Sequence, residues 1–196
     1  MQREFTEIEA ARHNSLTERA WKLARNHMIV EGDESRRRPG WFVRRKLNEA
    51  MRCFERALDI NSEGWSSMWA LGKIQQRLGN HQASLSWFVR AHKINPTHPD
   101  VAREAGLAAL DCGEAPLAVK FCSCAVADKP HDAGLVANLA LAYMLNGDDK
   151  HAIECAERAA RTAAGDEISS TVLEFVRDVA DGRRSRPKRL LDAFPD

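Results

Sequence analysis

The chain has 196 residues and a formal net charge of +1, with 44% hydrophobic and 29% charged residues. This composition is typical of a globular protein that buries its own core, and the near-neutral total predicts no particular partner. The N-terminal stretch carries charges throughout, so we expect neither a secretory signal nor a membrane span there. Five cysteines, an odd number without paired metal-ligand spacing, agree with this and favour a cytoplasmic location.

The beginning of the chain predicts helices interrupted by one irregular segment. Residues 1–15 hold a short helical pattern, and a longer helix is expected around Trp21. Because Pro39 and Gly40 are unsuited to a helix interior, we expect an insertion at about 33–45 before the next helix begins.

A 34-residue step then recurs in several series that keep a fixed phase with one another. Small residues at this step indicate helix faces that approach other helices closely, and glycines indicate the left-handed residue that ends a helix before the chain reverses. The pattern predicts copied pairs of antiparallel helices and almost no β-structure. The two clearest series are Ala57, Ala91, Ala125 and Ala159, and Gly79, Gly113 and Gly147.

The spacing resembles the tetratricopeptide repeat, a 34-residue helix pair with Trp, Leu-Gly, Tyr, Ala, Phe, Ala and Pro at set places. The unit at 65–98 matches best, with Leu71, Gly72, Phe88 and Pro96 in place. The resemblance covers four units within residues 16–164, the first of them interrupted. It implies an all-α fold, a right-handed superhelical array of antiparallel helix pairs forming an α-solenoid with capping helices.

Beyond the last unit, residues 165–182 predict the capping helix that such arrays need. Asp166 is a plausible N-cap, and Ile168, Val172 and Val179 belong to one apolar stripe. Residues 183–196 form a basic tail.

The resemblance implies a concave groove that is lined by the first helix of every unit and binds a partner segment. The groove is predicted to be polar and basic in its N-terminal half and apolar in its C-terminal half, which suits an extended or helical peptide with acidic and hydrophobic parts. Alternatively, the capping helix covers the C-terminal leucine stripe as core. The predicted groove residues are Arg19, Lys22, Asn26, Trp69, Lys73, Arg77, Arg103, Leu107, Leu110, Leu141 and Met144.

Some members of the resembled family clamp the terminal carboxylate of a chaperone tail. Lys22 and Asn26 match that clamp, whereas Asp100 and Glu104 stand where its basic residues belong. Two acidic side chains there would repel a carboxylate, so we reject this mode of binding.

The insertion and the tail interleave basic and large apolar residues. Such a mixture can bind phosphates and stack on bases, lie on an anionic membrane, or contact an acidic protein patch. The plainer interpretations are a loop whose aromatics pack on neighbouring helices and a solvated tail, or a tail that holds a short docking motif. The insertion residues in question are Arg36, Arg37, Arg38, Trp41, Phe42, Arg44 and Arg45.

The sequence shows no pattern that predicts catalysis. It lacks an HExxH arrangement and a glycine-rich nucleotide loop, and the cysteines are expected to be mostly small buried side chains. We therefore expect no enzyme activity, no cofactor and no metal. The leading interpretation is an interaction module or adaptor similar to small bacterial tetratricopeptide secretion chaperones. Alternatives are binding of nucleic acid or an anionic surface, an immunity-type partner that blocks one enzyme, and, for any of these, self-association into a homo-oligomer.

Overall fold

The computed structural model describes residues 6–28 and 38–193. Within these ranges the regular elements are all α-helices without any strand, which confirms the all-α prediction. The helices in chain order are α1 (Glu7–Ala24), α2 (Trp41–Ile60), α3 (Trp65–Arg77), α4 (His81–Ile94), α5 (Pro99–Cys112), α6 (Ala115–Asp128), α7 (Ala133–Leu145), α8 (Asp149–Thr162), α9 (Glu167–Ala180) and the short α10 (Leu190–Ala193).

The chain forms two compact units, unit 1 at Met1–Asn95 and unit 2 at Pro96–Asp196. In unit 1, α1 packs against α2 and α3 against α4, and α2 also contacts α3. In unit 2, α5 packs against α6 and α7 against α8, while α9 lies against both α8 and α7 and α10 touches α5. The 34-residue step thus corresponds to helix pairs, as predicted.

The two helices of a pair approach closely where the sequence has glycine. A Cβ added at Gly72 would lie 2.6 Å from Phe88, and one added at Gly106 would lie 2.7 Å from Cys122 Sγ. These are the same two repeat positions in successive units. The hydroxyl of Ser84 also donates a hydrogen bond to the Gly72 carbonyl at 3.0 Å, which closes the α3–α4 pair.

The turns inside the helix pairs confirm the role predicted for the glycine series. Gly79, Gly113 and Gly147 have φ angles of 80°, 75° and 81°, the left-handed region that disfavours other residues. Each ends a first helix and lets the chain reverse into the second.

The structure differs from the sequence-based expectation at the beginning of the chain. The described part of 1–15 is no separate segment, because residues 7–15 continue without a break into the rest of α1. The insertion expected at 33–45 is shorter than predicted, since α2 already begins at Trp41, directly after Pro39 and Gly40. Pro39 and Gly40 precede the helix and do not interrupt it. Residues 29–37 lie outside the described residues.

Candidate partner-binding surfaces

Unit 2 contains an open groove between α7 and α9 with a volume of about 800 Å³. Its apolar lining comes from Ala137 and Leu141 of α7, Ile168 and Val172 of α9, and Leu190 of α10. Acidic residues stand at its edge, where α7 and α9 begin: Asp132, Asp166 and Glu167. The groove therefore combines an apolar floor with a negatively charged rim.

Two of these carboxylates are positioned by the helices that they cap. Asp132 accepts a hydrogen bond from the Leu135 backbone N–H at 3.0 Å. Asp166 accepts from the Ser169 backbone N–H at 2.8 Å and from its hydroxyl at 2.7 Å, and these bonds hold the pKa of Asp166 below its ordinary value. Both carboxylates are thus fixed at the rim by their capping hydrogen bonds.

Ile168 is the largest exposed apolar side chain of the groove. The sequence pattern placed it on the apolar stripe of the capping helix, and the structure leaves 71% of its surface exposed. At its start, α7 contributes small residues to the lining, Ala133, Gly134 and Ala137, which leave room for a side chain from elsewhere.

The described part of the basic tail, residues 183–193 (the tail segment), is held on unit 2. The guanidinium of Arg184 lies 5.0 Å from the ring of Phe175 in α9. Arg186 donates to both carboxylate oxygens of Asp149 at 2.9 Å and also to the Met144 carbonyl at the end of α7. The interpretation of these residues as a merely solvated tail is therefore wrong.

Further along, the tail segment reaches the end of α5. A Cβ added at Gly113 would lie 2.5 Å from the Lys188 carbonyl oxygen and 3.1 Å from Arg189 Cγ. Arg189 then pairs with Asp192 at 2.7 Å across α10, and Leu190 lines the groove. The tail segment thus contacts α9, α7 and α5 in turn.

Some predicted groove residues of unit 2 are buried. Leu110 and Met144 are fully buried, so their assignment to an open groove is wrong. Leu141 does line the groove, but only 5% of its surface is exposed, because α9 packs over α7. The alternative in which the capping helix covers this stripe is thus correct in large part.

The other two predicted groove residues of unit 2 lie on α5 and are half-buried. Leu107 lies at an intermediate position between core and solvent. Arg103 pairs with Glu104 at 3.1 Å and more loosely with Asp100 at 3.8 Å. Its positive charge is therefore balanced by carboxylates of its own helix.

In unit 1 the predicted groove residues are spread over several environments. Lys22 and Asn26 are exposed, while Arg19 turns toward α2 and pairs with Glu49. On α3, Trp69 is half-buried with its ring 6.4 Å from that of Trp21, and Arg77 is half-buried too.

Lys73 is the predicted groove residue of unit 1 that the structure contradicts most clearly. Only 8% of its surface is exposed, and its Nζ lies 5.9 Å from the centre of the Trp69 ring. Its expected place as an open, charged groove residue is wrong, because the side chain packs along α3.

The start of α2 carries most of the described aromatic and basic residues predicted for the insertion. Trp41 and Phe42 are 65% and 76% exposed, with their rings in edge contact at 4.8 Å. Arg45 lies 5.8 Å from the Trp41 ring, and Arg44 and Arg52 line the same shallow depression. These five residues form the cationic aromatic face. Arg38 is exposed just before the helix, whereas Arg36 and Arg37 lie outside the described residues.

The cysteines follow their positions in the helix pairs. Cys53 and Cys122 are buried, and burial raises the pKa of the Cys122 thiol to about 12. Within residues 6–28 and 38–193, no group of three or more His, Cys, Asp or Glu side chains is arranged to hold a metal ion. The same part of the chain has no helix long and apolar enough to cross a membrane.

Copied helix pairs with left-handed glycine turns define an α-helical repeat protein. Residues 66–98 and 133–165 match the tetratricopeptide repeat family. The chain thus contains tetratricopeptide repeats at these two segments. Because such repeats form protein-interaction modules, the fold supports the prediction that this chain binds another protein.

Several solved structures share this fold. MamA from Desulfovibrio magneticus RS-1 matches with a TM-score of 0.67 and 18% identity, over 88% of this chain and 86% of that one. A tetratricopeptide repeat protein from Parabacteroides merdae matches with 0.65 and 13%, over 89% and 68%. YrrB, described as a TPR protein with an unusual peptide-binding site, matches with 0.60 and 19%, over 68% and 69%. A search of curated protein sequences finds no match.

Proposed function

We propose that this protein is a non-catalytic adaptor that binds a segment of a partner protein, and that the groove of unit 2 is where that segment lies. The observation that carries the proposal is an apolar groove in which Ile168 is 71% exposed and the chain's own Leu190 forms another part of the lining. Such a groove suits an apolar anchor side chain from an extended peptide.

The small residues of α7 support this use of the groove. Ala133, Gly134 and Ala137 leave a volume of about 800 Å³ beside α9, enough for one or two large side chains. YrrB is described as having a peptide-binding site, and we propose a peptide as the ligand here too. A chaperone-like role in the cytoplasm is part of this proposal.

A substitution at Ile168 tests the proposal. The partner is first identified by co-purification with the tagged full-length chain from its source cells. We expect Ile168→Asp to lose that partner, because a carboxylate would face the apolar lining and add to the acidic rim.

Glu174→Ala provides the matched control, because Glu174 is an exposed residue of α9 that does not line the groove. This variant should recover the partner at the wild-type level. Equal recovery by Ile168→Asp and the wild type would contradict the proposal.

The cationic aromatic face of α2 favours a second candidate function, the binding of a polyanion such as nucleic acid or an anionic surface. Exposed Trp41 and Phe42 lie beside Arg44 and Arg45 on one helix turn. Replacing both arginines by alanine should weaken binding of such a ligand and reduce its salt dependence. Lys150→Ala with Arg158→Ala on α8 is the control with the same change in charge, and equal binding by both double variants would contradict this candidate.

A further inference from the structure

The tail segment crosses unit 2 at the C-terminal ends of three helices. The Arg184 backbone N–H donates to the Asp178 carbonyl of α9 at 3.0 Å. Arg186 then donates to the Met144 carbonyl of α7, and Lys188 lies against Gly113 at the end of α5. The tail segment thus contacts the capping helix and two first helices of unit 2 in turn.

The charge of this path matches the surface under it. The C-terminal end of a helix carries a partial negative charge and free carbonyl groups. Arg186 satisfies one such carbonyl and forms a two-point contact with the carboxylate of Asp149, the geometry for which an arginine is better suited than a lysine. Basic residues of the tail segment therefore lie where helix ends and a carboxylate make unit 2 negative.

Gly113 provides an independent sign that the backbone of the tail segment fits this surface. Gly147 occupies the same repeat position and has the same left-handed backbone, yet a Cβ added there would meet nothing within 4 Å. A Cβ at Gly113 would collide with the Lys188 carbonyl. The tail segment thus packs directly on one glycine turn of unit 2 and not on the other.

Leu190 completes the contact by forming part of the apolar lining of the groove between α7 and α9. It follows Arg186 by four residues, so one short segment presents a guanidinium to Asp149 and an apolar anchor to the groove.

We infer that the tail segment is an internal ligand of unit 2 at the border of the groove, and that the partner is an extended basic segment with an arginine four residues before a leucine. This inference rests on the proposed function, because both place a peptide in the same groove. The partner competes with the tail segment for the Asp149 contact and the groove border, so its apparent affinity falls as the fraction of molecules with a docked tail segment rises.

A labelled synthetic peptide of residues 183–193 tests the inference by fluorescence anisotropy against the full chain. The double variant Arg186→Ala with Leu190→Ala should release the tail segment and bind the peptide at least about ten-fold more tightly than the wild type. Adding Asp149→Ala to this variant should remove the gain, because the peptide's arginine loses its partner. Equal binding by the wild type and the released variant would overturn the inference.

The matched control makes the same two kinds of change within the tail segment but away from the groove. Arg183 pairs with Asp178 and Asp181 at the end of α9, and Leu191 is not part of the groove lining. The double variant Arg183→Ala with Leu191→Ala should bind the peptide as weakly as the wild type. Tightening by both double variants would contradict the inference.

A second test compares Gly113→Ala with Gly147→Ala in the full chain. Both changes strain a left-handed turn, but only the first displaces Lys188. Trypsin cleavage after Lys188 and Arg189, followed by intact mass spectrometry, should be several-fold faster in Gly113→Ala than in Gly147→Ala. Equal cleavage rates, or exchange of tail segments between copies to form a dimer, would also overturn the inference.

The two proposals can fail separately. If Ile168→Asp loses the partner while the released variant does not bind the tail peptide, the groove binds a partner of other chemistry and only this inference fails. If Ile168→Asp keeps the partner, the proposed function fails as well.

Discussion

Two surfaces of this protein combine arginines with large apolar side chains, and they differ in what faces them. At the start of α2, Trp41 and Phe42 contact each other and remain mostly exposed. In the tail segment, Arg186 reaches a carboxylate and a helix end, and Leu190 forms part of the lining of an apolar groove. Similar composition thus gives an open surface in unit 1 and a packed contact in unit 2.

The difference shows that the neighbouring surface determines whether such a segment packs against the protein or remains exposed. Unit 2 offers the Asp149 carboxylate, the carbonyl at the end of α7 and a glycine turn without a side chain at Gly113. An arginine gains most where a carboxylate and a helix C-terminus coincide.

The largest effect is expected from a buried ring on the same helix as the exposed pair. Phe54 is fully buried and meets Trp21 edge-on at 5.4 Å. Phe54→Ala should reduce the free energy of unfolding by about 3–5 kcal/mol, because it removes a large apolar side chain and leaves a cavity. Urea unfolding would measure this loss, and a change below about 1 kcal/mol would mean that α1 and α2 do not pack through this ring.

A smaller effect is expected where the tail segment meets unit 2. Asp149→Ala removes both hydrogen bonds to Arg186 and should cost about 1 kcal/mol, since the pair is partly exposed. The same urea titration measures it, with Asp178→Ala as the control for a carboxylate that pairs with Arg183 outside the groove. Trypsin cleavage after Lys188 should be faster in Asp149→Ala but not in Asp178→Ala. This result would confirm that the lost stability comes from the contact between the tail segment and unit 2.

The rim of the groove should show a pH dependence of smaller size. Hydrogen bonds from Ser169 lower the pKa of Asp166 in the folded protein. A lowered pKa stabilises the fold above the ordinary value of about 3.9, and this contribution is lost as the pH falls through the folded-state pKa. Ser169→Ala should therefore have a lower free energy of unfolding than the wild type at pH 7. This loss should be smaller than the loss in Asp149→Ala. The difference in the free energy of unfolding between the wild type and Ser169→Ala should narrow as the pH is lowered below about 4. A difference that widens there would show that Asp166 does not cause it.

The smallest effect is expected at the cationic aromatic face. Trp41→Ala and Phe42→Ala should each change the free energy of unfolding by less than about 0.5 kcal/mol, because most of each ring is exposed. Thermal unfolding of these two variants and of Phe54→Ala compares the losses in stability for exposed and buried rings of the same helix. A loss as large as that of a buried side chain, above about 2 kcal/mol, would mean that the rings are covered by another part of the protein and are not available to a ligand.

The fold was predictable because its signals are local or periodic. The glycine series marked turns that the structure confirms at Gly79, Gly113 and Gly147, and Asp166 caps α9 as expected. The candidate site was less predictable. A count of outward helix positions assigned Leu110, Met144 and Lys73 to an open groove, although each is buried by neighbours that no period within one helix reveals.

The sequence by itself determined the helix pairs, because a repeated 34-residue step copies the same close approach and the same left-handed turn from unit to unit. Only the tertiary structure decided which of the first-helix side chains remain open and where the basic tail lies. The contact of Arg186 with the Met144 carbonyl joins positions that lie 42 apart in the chain. Such a contact depends on the packing of α7, α8 and α9 together, and composition near Arg186 contains no sign of that packing.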